Sequence, residues 1–318
     1  MSYRLGVVMD PIEGITPYKD TTLAMLLEAQ RRGWEICYLT LADLSLRDGL
    51  AYGDGTRLTV RDDNDDWFSF GERVDEPLSN LDAILMRKDP PVDSAFVYAT
   101  QILAIAEQAG VLVVNRPAGL LNVQEKLSIA QFPQCCTPTV VEMRAEPLKA
   151  FINAQQRAVL KPLHGMGGEA IFVVHAGDPN TSVIIEQLSA RGTRYVMAQR
   201  YLPEISDGDR RILVIDGEPA AFALARLPAA GESRGNLAAG GRGLASPLTE
   251  REQWIVQQVR PLLAEQGIVF AGLDVIGGYL TEINVTSPTC VREIDAQQNT
   301  HIASDLFTAI ERRLNPSP

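Results

Sequence analysis

Basic residues are the scarcer charge in this 318-residue chain, with 29 Lys and Arg against 40 Asp and Glu and a formal net charge of -11. That deficit argues against a general binder of nucleic-acid backbone, which gathers Lys and Arg on one face and has a high isoelectric point. No apolar run approaches the ~20 residues of a membrane span, and the apolar stretch within residues 1–9 is too short for the hydrophobic segment of a signal peptide, so no membrane role and a cytoplasmic location are expected. Cysteine is sparse: Cys37, Cys135, Cys136 and Cys290 include one adjacent pair and no CxxC, which fits neither a disulfide framework nor a zinc site and reads as inert thiols. His164, His175 and His301 share no ligand spacing, so zinc is not indicated.

What is present is the composition of a globular protein long enough for two or three lobes, at 46% hydrophobic and 22% charged. Residues 3–9 are an apolar run; Asp20 then starts a segment with Leu23, Leu26, Leu27 and Gln30 at helical spacing, ended by Gly33. Residues 34–39, 83–86 and 111–114 supply further strands, with a helix over 94–109 between the last two. Strands alternating with helices predict a parallel sheet covered on both faces. Residues 46–61 contain Gly53-Asp54-Gly55 between two alternating runs and read as a peripheral hairpin inserted into that sheet. The acidic run at 62–66 reads as a solvated loop holding no metal. From about Lys126 strands and glycine-rich loops become frequent, which marks a domain change.

Three segments carry chemistry. In Lys161-Pro-Leu-His-Gly165-Met-Gly167-Gly168-Glu-Ala170, the glycines loosely match a dinucleotide fingerprint, yet residues 171–174 read as a strand, whereas that fingerprint must open a helix. A Walker loop fails because the lysine precedes the glycines. What remains is a hairpin whose loop N–H groups can close over phosphates while Lys161 points at the same anion. The second segment, Asp274 to Asn284, reads as a hairpin in which Glu282 and Asn284 leave one face of a strand. A two-residue turn would set Asp274 opposite that face; a three-residue turn, Gly277-Gly278-Tyr279, makes Asp274 and Glu282 direct partners and is the expectation. Such oxygen donors suit Mg²⁺, which completes its shell with water and phosphate oxygens. The third segment runs from Leu224-Ala-Arg226 through Arg234, Asn236 and Arg242. It reads as a long polar loop, a lid whose basic groups meet phosphate or carboxylate on closing.

These pieces, in this order, resemble the ATP-grasp superfamily. The strings Val8-Met-Asp-Pro11, Leu85-Met-Arg-Lys-Asp-Pro-Pro91, Lys161-Pro-Leu-x-Gly-Met-Gly-Gly168, Arg234-Gly-Asn-Leu-Ala-Ala-Gly-Gly-Arg-Gly243 and Thr281-Glu-Ile-Asn-Val-Thr-Ser-Pro-Thr-Cys290 narrow the resemblance to the prokaryotic glutathione synthetase family and together span almost the whole chain. The resemblance implies an α/β fold: an N-terminal parallel-sheet, Rossmann-like pre-ATP-grasp domain over 1–125 that contacts substrate, then a two-lobed α+β ATP-grasp module over 126–318. Its ATP-clasping lobe is 126–200 and its catalytic, metal-binding lobe 201–318, with a lid at 228–245.

The implied reaction joins γ-glutamylcysteine to glycine with ATP through an acyl phosphate. By the family's pattern Lys126 and Lys161 hold phosphates with Gly165, Gly167 and Gly168, and Arg211 neutralises the transferring phosphoryl group beside Lys161 and Arg234. Gln199, Tyr201 and Leu202 meet the adenine, Asp209 meets the ribose, and Asp274, Glu282 and Asn284 hold two Mg²⁺, for which Mn²⁺ can substitute. Substrate contacts fall to Arg226, Ser287, Thr289 and Arg292, which suit substrate carboxylates, with Asn236 and with Arg87 and Asp89 approaching from the N-terminal domain; an ion pair to Glu293 or Asp295 is the other reading of Arg292. A homotetramer is the implied assembly. Another ATP-grasp ligase, of the D-alanine or protein-glutamate type, and a non-catalytic nucleotide-binding regulator are the alternatives.

Overall fold

The computed structural model describes residues 2–228 and 241–316. The first sheet holds β1 (Arg4–Val8), β2 (Glu35–Leu39), β3 (Leu44–Arg47), β4 (Leu50–Val60), β5 (Phe68–Pro77), β6 (Ala83–Met86) and β7 (Leu112–Val114). Its order is β3-β4-β2-β1-β6-β7, with β5 paired to β4. The β2-β1-β6-β7 half is parallel. Strands buried on both faces need unbroken apolar sequence, which is why β6 is buried throughout and why the periodicity there shows no alternation. Helices α1 (Thr21–Arg31), α2 (Ser94–Gln108) and α3 (Pro117–Asn122) complete this part. Asp20 caps α1 by accepting from the Leu23 N–H at 2.6 Å.

The expected hairpin at residues 46–61 is misplaced. Its turn lies at Asp48 and Gly49, between β3 and β4, and Gly53-Asp54-Gly55 runs straight through β4. Nor is the insertion peripheral, since β4 pairs with β2 inside the sheet. The glycines answer a packing demand: a Cβ on Gly55 would overlap the Sγ of Cys37, and one on Gly53 would stand 2.8 Å from the Leu78 Cδ2.

A second sheet, order β10-β9-β11-β8, is antiparallel and comprises β8 (Thr139–Glu142), β9 (Arg157–Pro162), β10 (Phe172–His175) and β11 (Val196–Arg200). With α4 (Ala145–Gln155) and α5 (Thr181–Leu188) it encloses its own apolar cluster around Leu148, Leu160 and Val196. The third sheet contains β12 (Asp209–Ile215), β13 (Glu218–Pro219), β14 (Phe222–Leu227), β15 (Arg242–Pro247), β16 (Phe270–Ile276) and β17 (Tyr279–Asn284) in the order β15-β14-β12-β16-β17, with β13 on β12. It is flanked by α6 (Glu250–Glu265), α7 (Val291–Gln298) and α8 (Ile302–Leu314). Its core is continuous with that of the first sheet: one cluster runs from Leu103 and Leu120 to Leu273 and Val285, and another joins Trp34 to Phe307.

The long irregular segment expected from Leu224 onward is shorter than it reads. Leu224, Ala225 and Arg226 lie in β14, and residues 242–245 of the expected lid lie in β15, paired antiparallel to it. Arg234 and Asn236 lie outside the described residues.

The close contact at Gly55 makes a simple prediction. Gly55→Ala should lower unfolding stability by about 1–3 kcal/mol through overpacking, whereas Gly14→Ala, where a new Cβ meets nothing within 4 Å, should stay within about 0.5 kcal/mol. Paired denaturant titrations check this, and equal midpoints for the two variants would refute it.

Candidate functional site

Two hairpins from different sheets converge here. The β9–β10 connection carries Gly165, Gly167 and Gly168 at positive φ, a backbone path that side chains with a Cβ resist. At the end of β9, the buried Lys161 donates from Nζ to the Thr281 carbonyl at 3.3 Å and lies 3.6 Å from the Glu282 Oε1. Lys126 reaches the same place from the other side, donating to the Gly165 carbonyl at 2.9 Å and lying 3.8 Å from that Glu282 oxygen. Burial pushes the Lys161 pKa down against the pull of Glu282.

The β16–β17 hairpin reaches the expected pairing by another route. Its turn has two residues, Gly277 and Gly278 at φ 56° and 79°, with Ile276 paired to Tyr279. The odd residue sits in the strand instead: a bulge at Thr281 shifts the register, so Asp274 pairs with Glu282. The Thr281 hydroxyl then donates to the Asp274 carbonyl at 3.1 Å. A three-residue turn is therefore corrected to a tight turn plus a bulge. Both put the two carboxylates on one face.

Asp274 is as enclosed as Lys161. Arg211, opposite Asp274 in β12, grips it bidentately with Nε at 2.5 Å and Nη2 at 3.0 Å. The Arg226 Nη2 stands 2.9 Å from its Oδ2 and 2.5 Å from the Asp209 Oδ2, and the Asn284 amide donates to it at 3.2 Å. Burial alone would raise the Asp274 pKa, but the two guanidiniums override it and hold the carboxyl well below the usual range. Asp209 responds oppositely: burial pushes it up to about 7 despite Arg226, and its Oδ1 is enclosed without a hydrogen-bond partner.

The junction of the hairpins separates two cavities. One is lined by Lys126, Lys161, Gln199, Tyr201, Leu202 and Asp209. The other, of about 590 Å³, is lined by Arg211, Arg226, Asn284, Ser287 and Thr289 together with Asp89 from the first sheet. Gly165, Gly167, Asp274 and Glu282 belong to both walls. One cleft thus abuts a second, larger cavity across a shared wall of carboxylates and loop glycines.

Not every expected residue joins them. Arg87 is buried beneath the second cavity, donating to the Thr22 hydroxyl at 3.1 Å and the Pro288 carbonyl at 3.0 Å, and burial pushes its pKa down to about 10. Arg292 pairs with Asp62, so neither Glu293 nor Asp295 is its partner, while the acidic run at 62–66 stays exposed throughout. Ser287 donates to Asp89, which closes a contact between the first and third sheets. Sequence reasoning missed Glu125, whose Oε1 accepts from the Val285 and Thr286 N–H groups and the Thr286 hydroxyl at 2.9–3.1 Å. It also missed Asp10, Lys19, Asp20 and Glu293 on the second cavity's wall. These come from separate loops and helix starts with no shared spacing.

Among the described residues, no three His, Cys, Asp or Glu side chains converge as a ready metal cage. The donors that do converge are the oxygens of Asp274, Glu282 and Asn284 beside Lys126 and Lys161. That set fits Mg²⁺, which accepts few protein oxygens and draws the rest from phosphate and water. The thiols supply no nucleophile: burial pushes Cys37 up to about 11 and Cys136 up to about 12, and raises Cys135 and Cys290 as well.

Comparison with known proteins agrees with this geometry. Residues 3–120 match the family described as prokaryotic glutathione synthetase, N-terminal domain, and residues 125–299 match its ATP-grasp domain. Glutathione synthetase of Pseudomonas putida is 58% identical over 314 residues, covering 99% of each chain. That of Pseudomonas syringae pv. tomato is 56% identical, covering 99% of this chain and 98% of its own. The fold is similar to a crystal structure of D-cycloserine synthetase DcsG, with TM-score 0.69 at 14% identity over 98% of this chain and all of the other. It is also similar to the ATP-grasp ligase PsnB complexed with minimal precursor, Mg and ADP, with TM-score 0.62 at 16% identity over 98% of each chain.

Two outcomes follow from the site as built. Asp274→Asn removes one partner of a buried ion-pair network and should cost about 3–5 kcal/mol of stability, whereas Glu282→Gln, at a more open position with looser partners, should cost about 1 kcal/mol or less. Thermal melts of both variants decide it, and similar losses would contradict the division. The four cysteines should react with a disulfide reagent at pH 8 only after denaturation, because burial raises the pKa of each, and Cys37 at about 11 is ionised at roughly one part in a thousand there. A fast native-state thiol would disprove that.

Proposed function

We propose, for a chain that belongs to the prokaryotic glutathione synthetase family, a division of labour among its own residues in the ligation of γ-glutamylcysteine to glycine. The chain is an ATP-dependent carbon–nitrogen ligase that uses a divalent metal. Lys126, Lys161 and the N–H groups of Gly165, Gly167 and Gly168 bind the nucleotide phosphates, while Gln199, Tyr201 and Leu202 face the adenine and Asp209 the ribose. Asp274, Glu282 and Asn284 would hold two Mg²⁺, or Mn²⁺ in their place, and the bound metal would supply charge neutralisation between phosphate groups.

The γ-phosphoryl group passes to the cysteinyl carboxylate of the dipeptide, giving an acyl phosphate; the glycine amine then displaces phosphate and forms the amide. Both steps crowd anions, so positioning and fixed positive charge carry the catalysis. Arg211 suits that task because its bond to Asp274 holds it rigid at the shared wall. Arg226 is committed to Asp209 and Asp274, which supports a framing role over direct capture of a substrate carboxylate. Arg87 and Arg292 line neither cavity and would act on substrate only through the residues they brace. Asp89, Ser287 and Thr289 line the second cavity and are the better candidates for dipeptide contact. Arg234 and Asn236 keep the roles that the family pattern gives them. A homotetramer and the cytoplasm are the assembly and location that the family resemblance supports.

The observation that carries this reading is the shared wall: the cleft lined by Lys126 and Lys161 and the cavity lined by Arg211, Ser287 and Thr289 meet at Asp274 and Glu282. A coupled ADP-release assay tests it. Turnover should require γ-glutamylcysteine, glycine and Mg²⁺ together, and Glu282→Gln should lower it by about 100-fold or more with the fold intact. Release of ADP with D-alanine in place of both substrates, or full activity in the variant, would overturn the assignment.

A further inference from the structure

The second cavity carries six acidic side chains besides Glu293, and each has an intramolecular partner. Asp10 pairs with Lys88 at 2.9 Å and Asp89 with Ser287; Asp20 caps α1; Glu125 is tied to Val285 and Thr286. Asp274 is gripped by Arg211 and Arg226, and Glu282 faces Lys126 and Lys161. Glu293 differs. Its carboxylate accepts only from its own backbone N–H, and its Oε2 is enclosed with no hydrogen-bond partner. Among the described residues no Lys, Arg or His nitrogen comes within 4.0 Å of its carboxylate. It stands in the first turn of α7, where that helix packs against the 3-10 turn Pro17–Lys19, and Lys19 lines the same stretch of wall.

An enclosed carboxylate oxygen without a donor is costly, and the cost is recovered only if a ligand brings the donor. The complement is a compact group with several N–H donors and a positive charge: a primary ammonium. A neighbouring lysine adds a place for a carboxylate, and the pair then matches the zwitterionic head of an amino acid. The γ-glutamyl group has such a head at the end of the dipeptide remote from the carboxylate that reacts. Glycine's amine fits less well, because an ammonium locked in an ion pair has no lone pair for attack.

We propose that Glu293 accepts hydrogen bonds from the free α-ammonium of the γ-glutamyl head and so selects a donor peptide that carries one. The inference rests on the reading of γ-glutamylcysteine as substrate. It is tested by comparing γ-glutamylcysteine with N-glutaryl-cysteine, which keeps the remote carboxylate and lacks the amine, on native protein, Glu293→Gln and Glu293→Asp. The native enzyme should favour the natural dipeptide by about 10- to 100-fold in kcat/KM, and Glu293→Gln should lose about that factor on it alone. The variant's kcat/KM for the glutaryl compound, or its inhibition constant if turnover is too slow, should equal the native value. Glu293→Asp should restore part of the preference, and the KM values for glycine and ATP should not move.

An equal loss on both peptides, a native enzyme indifferent to the amine, or a defect confined to the glycine KM would each overturn the proposal. A melting-temperature shift with a non-hydrolysable ATP analogue shows that the variants are folded. If the native protein fails to turn over γ-glutamylcysteine with glycine, the substrate reading fails instead, and the two failures are separately visible.

Discussion

The bidentate bond between Arg211 and Asp274 fixes the frame from which the rest of the site is built. It links β12 to β16 at directly paired positions, and the neighbouring pair in β12 and β14 sets Asp209 against Arg226. Two arginines and two aspartates therefore lie in one buried, nearly neutral chain across three strands. Burying four charges gains little stability, since desolvation consumes most of the attraction. What the arrangement gains is position: none of the four can turn away without leaving an unpaired charge inside the protein.

That frame is braced from outside the sheet. The Asn115 side chain, at the end of β7, donates to the carbonyls of Phe270 and Val285 at 2.7 Å and accepts from the Val269 and Phe270 N–H groups at 2.8–2.9 Å. It thereby grips the start of β16 and the residue just past β17, the two rails of the hairpin that carries Asp274 and Glu282. Glu125 holds the adjacent backbone at Val285 and Thr286, and its own carbonyl accepts from the Ile283 N–H at 2.8 Å. The first sheet is in this way part of the reaction centre's foundation, which agrees with the apolar core shared between them.

Much of this was legible in the sequence where one residue's chemistry dictates one geometry. Asp20 at a helix start, the unbroken apolar run of β6 and the lysine before the glycine loop each have a single good structural solution. Reading failed where two solutions satisfy the same pattern. Gly-Asp-Gly serves a tight turn or a strand crowded by Cys37 and Leu39, and only the packed neighbour decides. An odd count between Asp274 and Glu282 is met by a longer turn or by a bulge, and both preserve the facing of the carboxylates. Arg292 reads as a partner for its helix neighbours, yet the fold brings Asp62 to it from 230 positions away. Contacts of that kind leave no local trace.

The distances in the site also separate what is fixed from what can be exchanged. Arg211 meets Asp274 through two short, aligned bonds, whereas Lys126 and Lys161 lie 3.8 and 3.6 Å from Glu282, too far for hydrogen bonds. Those looser pairs neutralise charge without locking geometry. Phosphate oxygens entering the cleft would draw both ammonium groups and free the Glu282 carboxylate for a metal, with no change in the number of buried charges left unpaired. The small sheet that brings Lys161 and the glycine loop has its own apolar cluster and touches the core beneath Asp274 chiefly through Met197 and Val141. Rigidity is thus placed where charge must be held during reaction, and looseness where a ligand must enter.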